Sequence, residues 1–160
     1  MNLSLKKSIT DWLKEYSHYH KNPKNKIIHW FCIPLIMFSL FGLLSLIKFD
    51  LFIPGIKLNL LHISILAASY FYLKLSLKIS IGMVVFISPM ILMIDIMNNL
   101  YSTKTLFSTY LLIFVLSWVL QFIGHKIEGK KPAFAKDLKF LLIGPAWMIA
   151  FIYKKNKIKI

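Results

Sequence analysis

Two long runs without a charged side chain limit the fold of this chain more than any other feature. Residues 27–47 and 79–94 are almost entirely apolar. Each run approaches the roughly 20 apolar residues that a helix needs to cross a hydrocarbon core about 30 Å thick. In all, 58% of the 160 residues are hydrophobic, which is well above the roughly 45–50% of a soluble domain. The chain is therefore predicted to be one integral membrane domain, residues 1–160.

Four apolar segments are predicted to cross the membrane as helices. They cover residues 27–47, 58–73, 79–97 and 106–123. A fifth apolar stretch, residues 140–153, is interrupted by Gly144 and Pro145 and is too short for a comfortable crossing. We therefore expect an all-α polytopic bundle of about four transmembrane helices, with a re-entrant or interfacial segment near the C-terminus.

The N-terminal segment, residues 3–17, has the periodicity of an amphipathic helix. Its apolar residues fall on one helical face, and lysines lie away from that face. The apolar set is Leu5, Ile9, Trp12, Leu13 and Tyr16. This pattern is typical of a helix that lies in the membrane interface. It fits equally well a helix that packs on the rest of the protein.

Asn22 and Pro23 mark the start of the first transmembrane helix. Asn is a favoured N-cap residue, and Pro is favoured at the first helical position. Further along, Pro34 removes one backbone hydrogen bond, so a kink is expected there.

All twenty basic residues are lysines, and the net charge is +14. The lysines lie in the short segments between apolar runs, and membrane proteins keep such residues on the cytoplasmic side. With four crossings and an inner N-terminus, seventeen lysines fall inside and three outside. We therefore expect both termini in the cytoplasm, as in a bacterial inner-membrane protein. The absence of Arg, which forms bidentate phosphate contacts, argues against nucleic acid as a partner.

This topology also sorts the five histidines between the two faces of the membrane. His18, His20 and His29 lie at the inner end of the first span. His125 lies at the inner end of the fourth span, whereas His62 begins the second span on the outer side. Two helix ends thus present histidines at the same face.

The end of the fourth span carries four side chains on one stripe of a helix. Trp118, Gln121, His125 and Glu128 follow one another at spacings of three, four and three residues. His125 and Glu128 could share a metal ion, with Gln121 in support, and Gly129 is placed to end the helix. A mixed imidazole–carboxylate set with open positions suits non-haem Fe(II), and Zn(II) would also accept it.

Two motifs carry a resemblance to a known membrane family. The first is H-x-N-P-x-N-x-x-I-H-W at residues 20–30, and the second is W-x-x-Q-F-I-G-H-x-x-E-G-x-x-P-A at residues 118–133. The pair resembles a family that includes a 2-hydroxy fatty acid dioxygenase, and the likeness covers nearly the whole chain. It implies an Fe(II)-dependent α-oxidation, in which a 2-hydroxy fatty acid reacts with O₂ and becomes an acid one carbon shorter.

The resemblance also implies a set of site residues. The family's histidines correspond to His20, His29 and His125, which become metal ligands and catalytic residues. We infer Glu128 as a fourth ligand. Residues expected to support and orient these ligands are Asn22, Asn25 and Gln121. Lysines expected to attract the substrate carboxylate are Lys126, Lys130 and Lys131.

Two other functions are open at this point. A non-catalytic membrane scaffold or transporter would use the histidines structurally, but transport favours polar groups near the middle of the membrane. A di-iron hydroxylase or desaturase would need a larger set of histidine boxes than five histidines supply. The chain also lacks a Gly-rich dinucleotide fingerprint. This absence agrees with a reaction in which the substrate supplies all the electrons.

Overall fold

A computed structural model describes residues 7–50 and 57–160, and helices make up most of this part of the chain. The helices are α1 (Ile9–His18), α2 (Pro23–Ser45), α3 (Leu60–Leu75), α4 (Leu77–Leu100), α5 (Thr103–Glu128) and α6 (Phe140–Lys155). A short 3₁₀ helix, Ala133–Ala135, precedes α6. The predicted class, an all-α membrane bundle, is confirmed.

Within residues 7–50 and 57–160, three helices are long and apolar enough to cross a membrane, namely α2, α4 and α5. They correspond to the first, third and fourth predicted spans. The second predicted span is α3, an apolar helix of only 16 residues. At about 1.5 Å of rise per residue it is roughly 24 Å long, so it is shorter than the hydrocarbon core.

Helix α1 packs against the rest of the protein through its apolar face. It begins at Ile9 because the Ser8 side chain accepts a hydrogen bond from the Asp11 backbone N–H and the Asp11 carboxylate accepts one from the backbone of Ser8. Trp12 is buried, and its ring meets the edge of Phe140 in α6 at a centroid distance of 5.2 Å. The structure thus supports the packed alternative for this segment. Leu5 of the predicted helix lies outside the described residues.

Helix α2 begins where the sequence predicted. The Asn22 side chain accepts a hydrogen bond from the Lys24 backbone N–H, and Pro23 occupies the first helical position. Pro34 lies inside this helix, which is assigned without a break.

One feature of the fold was not expected. A short antiparallel hairpin pairs β1 (Lys48–Asp50) with β2 (Lys57–Asn59) after α2. The apolar segment near the C-terminus is a continuous 16-residue helix that contains Pro145, and residues 143–150 of it are all buried. The Tyr72 hydroxyl donates a hydrogen bond to the Leu142 carbonyl and ties α3 to α6.

Two glycines let α2 and α5, the most extensively packed pair of helices, lie close together. A Cβ atom at Gly42 would lie 2.5 Å from the ring of Tyr110, and one at Gly124 would overlap the side-chain oxygen of Asn25. Because Gly124 precedes His125 and Asn25 lies one turn before His29, this contact aligns the two histidine-bearing turns.

Candidate metal centre

Three histidine side chains meet inside the bundle. His20 lies between α1 and α2, His29 lies in the second turn of α2, and His125 lies near the end of α5. All three are buried, and none is more than 5% exposed. One ring nitrogen from each lies within 4.8 Å of the other two, and the ring centroids are 4.3 to 5.1 Å apart. The structure thus brings together the three histidines that the sequence analysis grouped.

Backbone carbonyls fix which nitrogen of His20 and His29 carries a proton. His20 Nδ1 lies 2.8 Å from the Tyr16 carbonyl oxygen, and His29 Nδ1 lies 3.0 Å from the Asn25 carbonyl oxygen. A carbonyl oxygen can only accept, so each Nδ1 must donate, and in the neutral ring the lone pair lies on Nε2. This second hydrogen bond is the usual arrangement around a metal-ligating histidine.

Three ring nitrogens of the cluster have no hydrogen-bond partner in the described part of the chain. They are His20 Nε2, His29 Nε2 and His125 Nδ1, and all three are buried. A buried polar atom without a partner costs about 1–3 kcal/mol, so three together indicate a group that the protein itself does not supply. Burial lowers the pKa of His20 to about 4. The ring is therefore neutral near pH 7, which is the form that binds metals.

The structure does not bring Glu128 into this group of ligand atoms. Its Oε1 accepts a hydrogen bond from the Lys21 backbone N–H at 2.9 Å, and its Oε2 accepts one from the Asn22 N–H at 2.8 Å. A carboxylate is well placed at the N-terminus of α2, where unpaired N–H groups and the helix dipole favour negative charge. Its role as a fourth metal ligand therefore stays a prediction. Gly129 does end α5, in the left-handed region at φ 71°.

Asn22 and Asn25 connect α2 to α5 through hydrogen bonds to Glu128. Neither side chain hydrogen-bonds a histidine ring in the described part of the chain. Asn25 is fully buried, and its side-chain amide donates to Glu128 Oε2 at 3.1 Å. Its main-chain carbonyl, not its side chain, orients His29. We call the contacts of Glu128 with Lys21, Asn22 and Asn25 the carboxylate lock.

An apolar cavity of about 260 Å³ lies against the histidines. All six helices contribute to its wall. Along α2 the lining runs from His29 to Phe41, a distance of roughly 18 Å at about 1.5 Å per residue. The polar side chains at the histidine end of the cavity are Tyr16, His20, His29, Gln121 and His125.

Gln121 and Tyr16 present polar groups to this cavity. Gln121 is only 7% exposed and lies one helical turn before His125. None of the described residues hydrogen-bonds its side-chain amide, so a ligand in the cavity could do so. The Tyr16 ring stacks on His20 at a centroid distance of 4.1 Å. Sequence analysis placed Tyr16 only on an apolar face. The i, i+4 spacing to His20 is the signal that could have linked the two.

The other predicted residues lie elsewhere. Lys130 donates from Nζ to the His18 carbonyl oxygen at 2.8 Å, while Lys126 and Lys131 are exposed. None of these three lysines lines the cavity. His62 caps α3, since its Nδ1 accepts a hydrogen bond from the Asn59 backbone N–H.

Fold and site together define a small helical membrane protein with a buried histidine cluster beside an apolar cavity. The chain belongs to the Mpo1-like family, described as 2-hydroxy-palmitic acid dioxygenase Mpo1-like, whose model matches residues 6–156. The chain is similar to the 2-hydroxy-palmitic acid dioxygenase MPO1 of Saccharomyces cerevisiae, with 28% identity over 142 residues. The match covers 87% of this chain and 76% of the yeast protein. No solved structure matches the chain.

Proposed function

We propose that this protein is a non-haem iron dioxygenase that shortens 2-hydroxy fatty acids by α-oxidation. The observation that carries the proposal is the set of three buried, unpartnered imidazole nitrogens at one end of an apolar cavity. In the balanced reaction, one 2-hydroxy acid and one O₂ give the acid one carbon shorter, CO₂ and water. The substrate loses four electrons and O₂ gains them, so no further reductant is needed.

The proposed ligands are His20 Nε2, His29 Nε2 and His125 Nδ1. Imidazole suits Fe(II), and three protein ligands leave positions open. A bound Fe(II) would supply the site at which the carboxylate and 2-hydroxyl chelate and at which O₂ is activated. The protein's own part is to hold the three rings in place and to keep bulk water away from the reacting carbon.

The cavity would hold the acyl chain of the substrate. Its apolar wall offers no hydrogen bond to a methylene chain and gains free energy from burying it. With C–C bonds of about 1.5 Å, an extended chain of about 14 carbons would fit a length of roughly 18 Å. The amide of Gln121 and the hydroxyl of Tyr16 lie at the end where the head of the substrate would be. We assign them to hydrogen bonds with its oxygen atoms.

The experiment is to incubate the purified protein with 2-hydroxypalmitate, Fe(II) and air and to follow pentadecanoic acid and CO₂. We expect one CO₂ for each O₂ consumed and no requirement for a nicotinamide or a 2-oxo acid. If product forms equally well under argon, or if a reductant is required for each turnover, the proposal is wrong.

We also propose that the histidine cluster lies on the cytoplasmic side of a bacterial inner membrane, because the positive-inside rule places most lysines there. A reporter fused after Ile160 should then be cytoplasmic. Activity of a reporter that functions only outside the cytoplasm would contradict this topology.

A further inference from the structure

A second depression is an open groove on the surface, and it shares one lining residue with the apolar cavity. It lies between α1, the first turns of α2, the end of α6 and the residues after α6. His20 lines both the groove and the cavity. The lysines that line the groove are Lys21, Lys26, Lys154, Lys157 and Lys159. We call this surface the lysine groove.

No acidic side chain in the described ranges pairs with the lysines of the groove. No Asp or Glu side chain is among the described residues that line it. Ion pairs between side chains in the described ranges involve Lys7, Lys136 and Lys139 instead, which lie outside the groove. Although Glu128 contacts Lys21, it does so through the backbone N–H and not through the ammonium group. Five like charges around one concave surface attract and hold an anion.

The lysine groove also has an apolar wall. Leu13, Trp30, Trp147 and Phe151 line it next to the lysines. Trp147 also lies beside His20, at a ring-centroid distance of 5.9 Å. A ligand that fits both surfaces therefore carries an anionic head and a long apolar tail. Such a ligand could place its head among the lysines and the start of its tail against this wall.

We propose that the lysine groove is the carboxylate-binding entrance of this protein, which selects an ionised long-chain acid over a neutral ester and delivers it to the cavity at His20. The selection of a free acid rests only on the groove. The link to a 2-hydroxy acid rests on the proposed function. The groove lysines thereby take the role that the sequence suggested for Lys126, Lys130 and Lys131.

The test compares the binding of palmitate and methyl palmitate to the metal-free full chain in lipid nanodiscs. Palmitate lacks the 2-hydroxyl, so its binding does not depend on turnover. We expect the acid to bind at least about tenfold more tightly than the ester, with a difference that shrinks at high salt. The double variant Lys26→Gln/Lys154→Gln should lose most of this preference and keep its affinity for the ester. Retained ester affinity also shows that the variant is folded.

The matched control is Lys24→Gln/Lys155→Gln. It removes the same charge from the same two helices, at exposed positions that do not line the groove. This control should keep the preference for the acid, and Lys26→Arg/Lys154→Arg should keep it too. If the control and groove variants lose the preference for the acid to the same extent, general surface charge explains the effect and the proposal is wrong.

Two further outcomes separate this proposal from others. If the groove variant keeps its preference for the acid but loses binding to vesicles that contain phosphatidylglycerol, the groove is a membrane contact and the proposal is wrong. If palmitate binding follows the expected pattern while 2-hydroxypalmitate is never consumed, the groove assignment holds and the dioxygenase proposal fails. With an active enzyme, the groove variant should raise KM and leave kcat unchanged.

Discussion

The two ends of the α2–α5 pair differ in how far their buried polar groups are hydrogen-bonded. At the end near the β-hairpin, the Asn98 side-chain amide donates to Ser45 Oγ at 3.0 Å, and Ser45 Oγ donates to the Gly42 carbonyl. At this end, Asn98 Oδ1 is the one buried side-chain oxygen or nitrogen atom that has no hydrogen-bond partner in the described part of the chain. At the histidine end, three ring nitrogens and Asn25 Oδ1 lack partners. Most of the unpartnered polar atoms therefore lie at the histidine end, where we propose that a metal binds.

The strongest test of this comparison is to remove the histidines one at a time. We expect His20→Ala, His29→Ala and His125→Ala each to abolish bound iron and the shortening of 2-hydroxypalmitate. The loss should exceed the roughly 10–100-fold that removal of a group around the ligands costs. Ser45→Ala at the hairpin end is the matched control and should keep both. The measurements are iron content of the purified protein and pentadecanoate formation. Normal iron content in any of the three variants would exclude that histidine as a ligand.

The next test compares the two glycines at the α2–α5 contact. In Gly124→Ala the new methyl group overlaps Asn25 and pushes apart the turns that carry His29 and His125. We expect iron binding and activity to fall by about tenfold or more, together with a stability loss of about 1–3 kcal/mol. Gly42→Ala should destabilise the protein by a similar amount, because its methyl group overlaps Tyr110. The folded fraction of this variant should still bind iron. Thermal unfolding and iron titration of both variants would check this, and equal iron affinities would contradict it.

Substitution of Glu128 in the carboxylate lock should have a smaller effect, and one that spares iron binding. Glu128→Gln should keep about one iron per chain. It should lower the melting temperature and reduce activity severalfold, because it weakens three hydrogen bonds that position α2 against α5. Glu128→Asp should restore part of the activity. Iron loss as complete as in His125→Ala would instead return Glu128 to the ligand set.

The smallest effect is expected at His62. This residue belongs to the capping box of α3 and lies outside the histidine cluster. His62→Ala should leave iron content and turnover unchanged and alter stability by less than about 1 kcal/mol. A drop in bound iron would show that the two ends are not independent.

The features that were predicted correctly are encoded by residues close together in the sequence. The apolar runs define α2, α4 and α5, the Asn22–Pro23 pair marks the start of α2, and two short motifs carry all three clustered histidines. Each of these signals lies within one element. Residues 140–153 were expected to be re-entrant or interfacial because of their length and Pro145. The burial of residues 143–150 was not predicted, although a helix that is apolar on all sides is often a core helix.

Contacts between distant segments could not be predicted from the sequence. Glu128 was predicted as a ligand because its spacing from His125 is right for one helix. Its actual partners lie more than 100 residues earlier in the chain. The lysines that line the groove come from the start of α2 and from the end of α6, together with residues just outside these helices, and no motif joins them. Such features follow from tertiary packing and have no periodicity of their own.

The dependence of the histidine cluster on both ends of the chain has a consequence for how the protein is made. His20 and His29 leave the ribosome roughly 100 residues before His125, which at about 5–20 residues per second is a delay of about 5–20 s. Throughout that interval the nascent chain holds two imidazoles and lacks the third. If the cluster binds iron as we propose, loading has to wait until α5 has been made, and a chain truncated before α5 should reach the membrane without acquiring a redox-active metal.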